Sequence, residues 1–444
     1  MKRVLTIAGS DSGGGAGIQA DLKVITLLGG FGMSAITALT AQNTVGVQGI
    51  HEVPPRFVEE QIDAVLSDIG ADAIKTGMLA SREIIEVVSR KIKQYKVKQV
   101  VVDPVMISKS GASLLRKDAQ ETLVKRLIPM AWVVTPNLME ASALAGFRVS
   151  SLEGMKKAAR QIYRMGTKYV VVKGGHLKGV AVDLLYDGEG FTEIEGPRIE
   201  SKHTHGTGCT FASAIATFLA RGDTIYEAVE KAKTFITLAI QSGFRLGKGT
   251  SPTNPSAYVL REMERYRVIQ ELKKAVDVLK GEKIGYLIPE VSSNLGYALP
   301  FAEGVEDVAA FPGRVFRFKD SVTTWSDPEF GASQHVASII LTVMKFDPEY
   351  CSAMNIRYSR EAVGQLKRKG FLVGQFHRRL EPKRVKGMEG SSLEWGVGDV
   401  LRKMKRVPDF IFDEGDVGKE PMVRVFGKTP MEVVQKILKV ANSL

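Results

Sequence analysis

Short apolar runs alternate with helical patterns over the first 250 residues of the chain. Several of the runs, such as "VVVD" and "VVVK", are apolar on both faces. Strands of this kind suit a parallel sheet that is covered by helices on both sides. The pattern therefore predicts an α/β fold with a doubly wound, mostly parallel sheet. The predicted strands are 4–9, 33–41, 72–78, 98–106, 131–137, 168–175 and 181–188. The predicted helices between them are 17–30, 54–70, 81–95, 116–129 and 151–166.

The alternation stops at residues 246–256, "LGKGTSPTNPS", a stretch of Gly, Pro, Ser and Thr that is typical of a linker. We predict a first domain over 1–256, a connecting helix over 257–280 and a second, smaller α/β domain over 281–444. In the second domain, helices are predicted near 331–346, 358–370 and 429–442. Strands are predicted near 353–357, 371–376 and 409–412.

Composition narrows the classes of function. The 444 residues exceed the length of one typical domain. The sequence has two cysteines, Cys209 and Cys351, and this small number argues against a disulfide framework and for a cytoplasmic protein. A membrane span needs about 18 or more apolar residues in a row, and we expect none. The net charge of +12 is spread along the chain. A spread charge favours small anionic substrates over nucleic acid.

Polar residues follow several of the predicted strands in the first domain. A glycine-rich turn, "AGSDSGGGAG", follows the first strand, and such turns bring backbone N–H groups close to a ligand. Asp103 and Asn137 end two further strands, and Glu140 lies in the first turn of the helix after Asn137. Their oxygens could hold Mg²⁺ beside phosphates. Equally, Glu140 could match the charge of a helix N-terminus, and Asp103 could be a turn carboxylate before proline.

The stretch 204–222, "THGTGCTFASAIATFLARG", combines a glycine turn with an apolar helix. Gly206 and Gly208 flank Thr207, and the N–H groups at the helix start form an anion site that needs no lysine. Lys173 ends a neighbouring strand and can reach a phosphate as a point charge. His176, which follows it, is interpreted as a loop residue.

These segments carry a resemblance. The order "TIAGSDSGGGAGIQADLK", "TALTAQNT", "KTGML", "VVDPVM", "TPNLMEA", "VVKGGH", "HGTGCT" resembles the hydroxymethylpyrimidine/phosphomethylpyrimidine kinases of thiamine biosynthesis over about residues 1–255. That family is ribokinase-like. The resemblance implies ATP- and Mg²⁺-dependent phosphorylation of 4-amino-5-hydroxymethyl-2-methylpyrimidine, and then of its monophosphate.

The resemblance also implies roles for single residues. Gln42 would pair its amide with the pyrimidine. The same substrate pocket would be lined by Gly9, Asp21, Met78 and either Val105 or Met106. ATP would be bound by Asn137, Lys173, Gly206, Thr207 and Gly208, and the metal by Asp103 and Glu140. Cys209 takes the place of a catalytic base, and we expect the helix N-terminus to activate its thiol.

Two stretches of the second domain, 291–315 and 355–382, resemble the ThiN-type thiamine-phosphate synthase domain. Its reaction joins the pyrimidine diphosphate to hydroxyethylthiazole phosphate and releases pyrophosphate. By this resemblance Arg357 and His377 are catalytic. The basic residues after His377 either help to bind the leaving group or form a solvated loop. These basic residues are Arg378, Arg379, Lys383, Arg384 and Lys386.

Four further residues of this domain are less specific candidates. Asn294 and Asp320 are weaker pocket candidates. His335 could lie in the core or in the pocket, and Cys351 is interpreted as a small core residue.

Two other functions stay open for the chain. The second domain could only sense thiamine phosphate, although repressors of that type carry a helix-turn-helix where this chain has a kinase-like domain. The first domain could be a sugar or pyridoxal-type kinase, against which "TAQNT" and "HGTGC" argue. We expect a homo-oligomer that acts on small molecules, without nucleic-acid or membrane partners.

Overall fold

The computed structural model describes residues 1–106, 115, 117–175, 177, 181–302, 304–382 and 391–442. The chain divides into two compact units, Met1–Val259 and Leu260–Leu444. No helix of the described residues is both long and apolar enough to cross a bilayer.

The first unit is built on an eight-stranded sheet, within the described residues, with the order β10-β9-β8-β7-β6-β5-β1-β2. The strands from β2 to β8 in this order are parallel, and β9 and β10 are added antiparallel at one edge. The predicted doubly wound, mostly parallel sheet is therefore confirmed. The strands are β1 Lys2–Ala8, β2 Gly30–Ile36, β3 Ala38–Gln42, β4 Val47–Glu52, β5 Ala73–Thr76, β6 Val100–Val102, β7 Val133–Val134, β8 Tyr169–Lys173, β9 Ala181–Tyr186 and β10 Phe191–Gly196.

Helices cover both faces of this sheet, because strands such as β6 are buried on both sides and present valines to each. One core lies between the sheet and α2, α3, α5 and α6, and the other lies between the sheet and α1, α7 and α8. The helices are α1 Gly17–Leu27, α2 Pro55–Asp68, α3 Arg82–Tyr95, α4 Lys117–Thr122, α5 Leu138–Ala145, α6 Leu152–Tyr163, α7 Thr207–Arg221 and α8 Ile225–Gln241.

The single strand predicted over 33–41 is two strands. The chain leaves the sheet at Thr37, whose buried hydroxyl donates to the carbonyl of Met78 at 2.6 Å. After it, β3 pairs with β4 as a separate antiparallel hairpin. Neither β4 nor β10 was predicted, because their largely exposed residues leave no apolar run to detect.

The second unit contains a seven-stranded sheet, again within the described residues, with the order β15-β12-β11-β16-β19-β18-β17. Its pairs are antiparallel except β17 with β18. Its strands are β11 Leu295–Ala298, β12 Val308–Ala310, β15 Glu329–Phe330, β16 Ser352–Arg357, β17 Val373–Gln375, β18 Phe410–Asp413 and β19 Met422–Gly427, and β13 Val315–Phe318 and β14 Ser321–Thr324 form a hairpin.

Two cores flank the sheet of the second unit. Helices α9 Ala257–Lys280, α11 Arg360–Arg368 and α13 Pro430–Ala441 contribute to one, and α10 Gln334–Met344 and α12 Ser391–Met404 to the other. The helix predicted as a connection thus packs against the core of the second unit, through Val268, Leu272 and Leu279. The three helices and three strands predicted in this region all occur.

A buried ion pair lies between α1 and β5 of the first unit. Lys75 Nζ lies 3.0 and 2.9 Å from the two carboxylate oxygens of Asp21, and both side chains are fully buried. The hydroxyls of Thr6 and Ser213 also donate to this carboxylate, at 2.6 and 2.7 Å. Removal of one partner from a buried pair costs far more than removal of both, because it leaves an uncompensated charge.

We expect Lys75→Met to lower the free energy of unfolding by about 3–5 kcal/mol, since it leaves the Asp21 carboxylate buried without a countercharge. The double variant Lys75→Met with Asp21→Leu should recover much of the loss. Urea unfolding of the full chain measures both. Arg82→Met is the matched control, because it removes an exposed i,i+4 pair with Glu86 and should cost no more than about 0.5 kcal/mol. A double variant no more stable than Lys75→Met would contradict this account.

Candidate functional sites

The first unit has a cavity of about 180 Å³ where the carboxyl ends of its strands meet the turn after β1 and the start of α7. Ligands of open α/β sheets bind at such strand ends. Most of its lining comes from the turns that the sequence analysis singled out. The lining includes Gly9, Asp11, Gln42, Lys75, Met78, Asp103, Val105, Asn137, Glu140, Lys173, His205, Gly206, Thr207, Gly208 and Cys209.

Asp11 organises the glycine-rich turn after β1. Its carboxylate accepts the backbone N–H groups of Gly13, Gly15 and Ala16 at 2.8, 3.1 and 2.8 Å. His205 Nε2 lies 2.8 Å from the same carboxylate. Burial opposes the charge on Asp11, yet the hydrogen bonds from His205 and the backbone outweigh it and lower the pKa of Asp11. The turn is therefore tied to the segment before α7 by a charged group.

Two glycines allow this turn and α7 to touch. Gly206 precedes α7 with a φ of 76°, in the left-handed region, and a Cβ there would lie 1.8 Å from the carbonyl oxygen of Gly15. A Cβ on Gly15 would in turn lie 2.4 Å from the His205 ring. Gly206 has no side chain to cap α7, and the Thr207 N–H donates to the Thr204 carbonyl at 3.5 Å. Among the described residues, the N–H groups of Gly208 and Cys209 remain for an anion in the cavity.

Gln42 ends β3 at one side of the cavity. Its Oε1 lies 3.2 Å from Thr40 Oγ1, and its Nε2 lies 3.3 Å from His205 Nε2. Because the Nε2 proton of His205 is directed to Asp11, the NH₂ of Gln42 keeps its hydrogens for another acceptor, such as a ring nitrogen.

Lys173, Asp103 and Glu140 form a charged group at the opposite side. Lys173 Nζ lies 2.8 Å from Asp103 Oδ1. Glu140 closes a capping box with Asn137: it accepts the Asn137 N–H at 2.8 Å, and Asn137 Oδ1 accepts the N–H groups of Met139 and Glu140. Burial raises the pKa of Glu140 to about 7; Lys173 opposes this and Asp103 adds to it. The helix-capping interpretation of Glu140 is thus part of the structure, although its carboxylate also faces the cavity.

These residues fit a magnesium ion that is bound together with phosphates. Asp103 and Glu140 are two carboxylates on one cavity, and the described residues contain no cluster of three or more His, Cys, Asp or Glu that could hold a metal. Mg²⁺ commonly takes one or two carboxylates and completes its shell with substrate phosphates and water. The donor set therefore suits a substrate-borne magnesium rather than an all-protein site.

Cys209 lies in the first turn of α7, half-buried, between the two sides of the cavity. The expectation of an activated thiol is wrong for the free protein. Burial raises the pKa of Cys209 to about 11; Lys75 opposes the shift, whereas the carboxylates of Asp21 and Asp103 add to it. Desolvation and two negative charges outweigh the helix N-terminus.

The structure brings most of the predicted first-site residues together, with two exceptions. Asp21 lies beneath the cavity, where it neutralises Lys75, and does not line it. Met106 is buried in the core, and Val105 takes the lining position. Sequence reasoning missed Asp11, Lys75 and His205, although all three lie inside the motifs "GSDSGGG", "KTGML" and "HGTGCT".

The second unit has a larger cavity of about 460 Å³. Its lining consists of Val291, Ser292, Ser293, Asn294, Arg314, Ser333, His335, Val336, Ile339, Ala353, Met354, Asn355, Arg378, Leu393, Gly418, Lys419, Glu420, Met422 and Arg424.

Arg357 and His377, predicted to be catalytic, are exposed and do not line this cavity. Arg357 ends β16 on the same face as Asn355, which places it beyond the rim. Three arginines do line the cavity: Arg314 is exposed, whereas Arg378 and Arg424 are buried because both bind the fully buried Asp413. Arg424 was not singled out in the sequence, since its β19 resembles an ordinary core strand.

Of the less specific candidates in the second unit, two line the cavity and the others do not. Asn294 lines the cavity, but its amide is bonded to the backbone of Phe311. His335 lines the cavity from the start of α10, whereas Asp320 is exposed and outside it. Cys351 is half-buried and packs beside both cores. His176, Lys383, Arg384 and Lys386 lie outside the described residues.

We expect Glu140→Gln to stabilise the protein at alkaline pH. The pKa of Glu140 is raised from 4.5 to about 7 in the folded chain, so the folded state binds the extra proton between these values and loses stability as pH rises through them. Glutamine keeps an acceptor for Asn137 and has no charge. The variant should gain about 1–3 kcal/mol at pH 8 and much less at pH 5, measured by urea unfolding.

Glu153→Gln is the matched control, because Glu153 also lies in the first turn of a helix but is 83% exposed. It should show no pH-dependent gain. A gain for Glu140→Gln that is equal at pH 5 and pH 8 would refute the burial argument.

Comparison with known proteins agrees with this geometry. The chain is 57% identical over 252 residues to the thiamine biosynthesis bifunctional protein ThiED of Geobacter sulfurreducens, covering 56% of this chain and 51% of that protein. It is 52% identical over 258 residues to the hydroxymethylpyrimidine/phosphomethylpyrimidine kinase of Bacillus subtilis, covering 58% of this chain and 95% of that protein. The chain therefore spans only about half the length of the first of these relatives.

A solved structure gives the fold of the first unit. The ADP complex of Bacillus subtilis pyridoxal kinase matches with a TM-score of 0.56 and 42% identity, over 59% of this chain and 99% of that chain. The predicted ribokinase-like fold is confirmed. The family model for thiamine-phosphate synthase ThiN matches residues 271–439. The phosphomethylpyrimidine kinase model matches residues 11–254, more than half of the chain, and the chain belongs to that family.

Proposed function

We propose that the first unit phosphorylates 4-amino-5-hydroxymethyl-2-methylpyrimidine and then its monophosphate, with ATP as donor. We propose further that the second unit condenses the resulting diphosphate with hydroxyethylthiazole phosphate to give thiamine phosphate and pyrophosphate. The family membership of residues 11–254 and the ThiN match over 271–439 support the two halves. A cytoplasmic location and a homo-oligomer stay predictions from the sequence.

One observation carries the kinase proposal. A single cavity presents a ring-binding amide, Gln42, on one side and an anion-binding side at Lys173 and the start of α7 on the other, with Cys209 between them. A pyrimidine bound by Gln42 would direct its hydroxymethyl group toward the anion side. Positioning and charge stabilisation account for most of the catalysis of phosphoryl transfer.

On the anion side, the N–H groups of Gly208 and Cys209 and the ammonium of Lys173 would hold the phosphates. These groups become more effective as negative charge develops on the transferred phosphoryl group. Asp103 and Glu140 would hold Mg²⁺, which neutralises phosphate charge when bound. Burial is the first cause of the raised pKa of Glu140, and a cation bound nearby would lower that pKa again, so that Glu140 would bind the metal as a carboxylate.

Cys209 would accept the proton of the pyrimidine alcohol in the first phosphorylation. To do so it must first lose its own proton, which the pKa of about 11 opposes in the free protein. Lys75, buried beneath the cavity, favours the thiolate by its charge. The acceptor of the second phosphorylation is a phosphate that is already ionised, so that step needs no base.

Pyridoxal is a second candidate substrate of the first unit, because the matched Bacillus subtilis structure is a pyridoxal kinase at 42% identity. Pyridoxal also carries a hydroxymethyl group on a nitrogen heterocycle. For the second unit, the alternative is a sensor that binds thiamine phosphate without making it.

The full chain should make thiamine phosphate from the pyrimidine alcohol, hydroxyethylthiazole phosphate, ATP and Mg²⁺, as followed by chromatography. Accumulation of the pyrimidine diphosphate without coupling would leave the second unit as a sensor. A parallel reaction with pyridoxal compares kcat/KM for the two alcohols, and a higher value for pyridoxal would overturn the pyrimidine assignment.

Cys209→Ala should reduce the first phosphorylation by at least about 100-fold and the second by less than about tenfold, because only the alcohol needs a base.

In the unchanged protein, the rate of the first step should rise about tenfold per pH unit between pH 7 and 9, as the thiolate fraction rises below its pKa of about 11. Separate assays with the alcohol and with its monophosphate measure both effects. Cys351→Ala is the control, and equal losses in the two steps would exclude the base role.

A further inference from the structure

The larger cavity, in the second unit, has one apolar wall and one charged wall. Val336 and Ile339 of α10, together with Ala353 of β16, supply apolar surface. Arg378 and Arg424 lie on the lining as well, and both are at least nine-tenths buried. A cavity of about 460 Å³ is within the size range of small-molecule sites. The two walls suit a ligand that has a flat ring and an anionic group.

The charges of the arginines are only half compensated. Arg378 Nε lies 2.6 Å from Asp413 Oδ1, and Arg424 lies 2.8 Å from Asp413 Oδ2. Two guanidinium groups therefore share one carboxylate. Burial and the neighbouring charge of Arg378 lower the pKa of Arg424, although the charge of Asp413 raises it. Buried charges of this kind are rare unless they are paired, so this wall has one positive charge to offer a ligand.

Within the described residues, neither of the two nearby carboxylates, Glu420 and Glu381, is paired with these arginines. Glu420 accepts the backbone N–H groups of Glu290 and Val291 at 3.0 and 3.3 Å. Glu381 Oε2 lies 3.7 Å from Lys419 Nζ, so these two charges are paired with each other.

Two buried donors on this lining have no hydrogen-bond partner within the described part of the chain. They are Arg424 Nε and the hydroxyl of Ser293, which is fully buried at the end of the loop before β11. A buried donor without a partner costs about 1–3 kcal/mol, so such groups are rare unless a ligand satisfies them. Asn294 and Asn355, by contrast, are fully engaged with each other and with the backbone, and they hold the wall rigid.

We propose that Arg424, Arg378 and Ser293 form the binding site for the phosphate ester of a phosphorylated heteroaromatic ligand in the second unit. This inference rests on the proposed function of that unit, and it assigns the phosphate to buried groups rather than to the exposed Arg357 and His377. Guanidinium groups bind phosphate through paired N–H donors, and the serine hydroxyl would donate a further hydrogen bond to the phosphate. The ring lies against Val336, Ile339 and Ala353.

Thiamine phosphate and thiamine are the probes, because they differ only in the phosphate. Isothermal titration of the full chain should show thiamine phosphate binding at least about 100-fold more tightly than thiamine. Ser293→Ala removes a hydroxyl that has no partner in the free protein, so the melting temperature should not change. Its affinity for thiamine phosphate should fall about tenfold, the effect of one hydrogen bond to a charged group, and its affinity for thiamine should stay the same.

Arg424→Lys keeps a positive charge for Asp413 and removes the Nε donor, and it should weaken thiamine phosphate binding by about 10- to 100-fold. Ser352→Ala is the matched control, since Ser352 is a buried serine whose hydroxyl bonds to Gly296 and does not line the cavity. Its affinity for thiamine phosphate should equal that of the unchanged chain. The thermal melting of each variant in the full chain reports whether the second unit is folded.

The outcomes separate this site from the proposed synthase activity. One outcome is that thiamine phosphate binds more tightly than thiamine, that Ser293→Ala abolishes this difference, and that the chain makes no thiamine phosphate. This outcome supports the proposed phosphate site and refutes the proposed synthase activity. Synthesis with an unchanged KM for hydroxyethylthiazole phosphate in both Ser293→Ala and Arg424→Lys overturns the site and leaves the synthase standing. Equal affinities of the unchanged chain for thiamine and thiamine phosphate also overturn it.

Discussion

The contact between the turn after β1 and the start of α7 is the constraint on which the first site depends. Asp11 holds the turn through three backbone N–H groups and bonds to His205, and Gly206 lets α7 begin against the carbonyl of Gly15. Both segments are far apart in sequence, and neither could form the cavity alone. Because His205 also lies beside Gln42, the Asp11 carboxylate links the start of α7 to the position of the Gln42 amide.

Charge balance around Cys209 follows from the same packing. The Lys75–Asp21 pair is fully buried beneath the cavity, and the Lys173–Asp103 pair lies on its wall. Each lysine is paired with a carboxylate in the free protein. The charge of Lys75 still lowers the pKa of Cys209, but burial together with Asp21 and Asp103 outweighs it. A bound Mg²⁺ would engage Asp103 and Glu140, and this would leave Lys173 free to contact phosphate. With the proposed roles, the protonation of the site would be coupled to the binding of the metal and its nucleotide.

The sequence predicted the first site better than the second for a physical reason. Parallel strands place their carboxyl ends at one edge, so Asp103, Asn137 and Lys173 could be assigned to one site from strand ends alone. The pattern could not show which side chains face the cavity. Asp21 is paired with Lys75 instead of lining the cavity, and Val105 rather than Met106 is in the lining. The hairpin β3–β4 was missed in part because exposed, polar strands carry no apolar signal.

The antiparallel second unit gave no comparable rule. Its neighbouring strands run mostly antiparallel, so their carboxyl ends do not share one edge. Arg378, after β17, and Arg424, on β19, both bind Asp413 of β18. In the sequence, Arg378 was one of several basic residues after His377, and nothing local distinguished it from a solvated loop. Burial distinguishes Arg378 from the other basic residues, because a buried arginine needs a carboxylate to compensate its charge.

In the proposed functions, the two cavities would bind anions by opposite means. The first would use helix N–H groups and a lysine that is already paired, so that the charge it offers would depend on what else is bound. The second keeps two guanidinium groups on one carboxylate, a fixed excess of positive charge that persists in the free protein. A site that transfers phosphoryl groups must change its charge during turnover, whereas a site that holds a phosphate ester as a handle does not. The difference in construction matches the difference in the proposed chemistry.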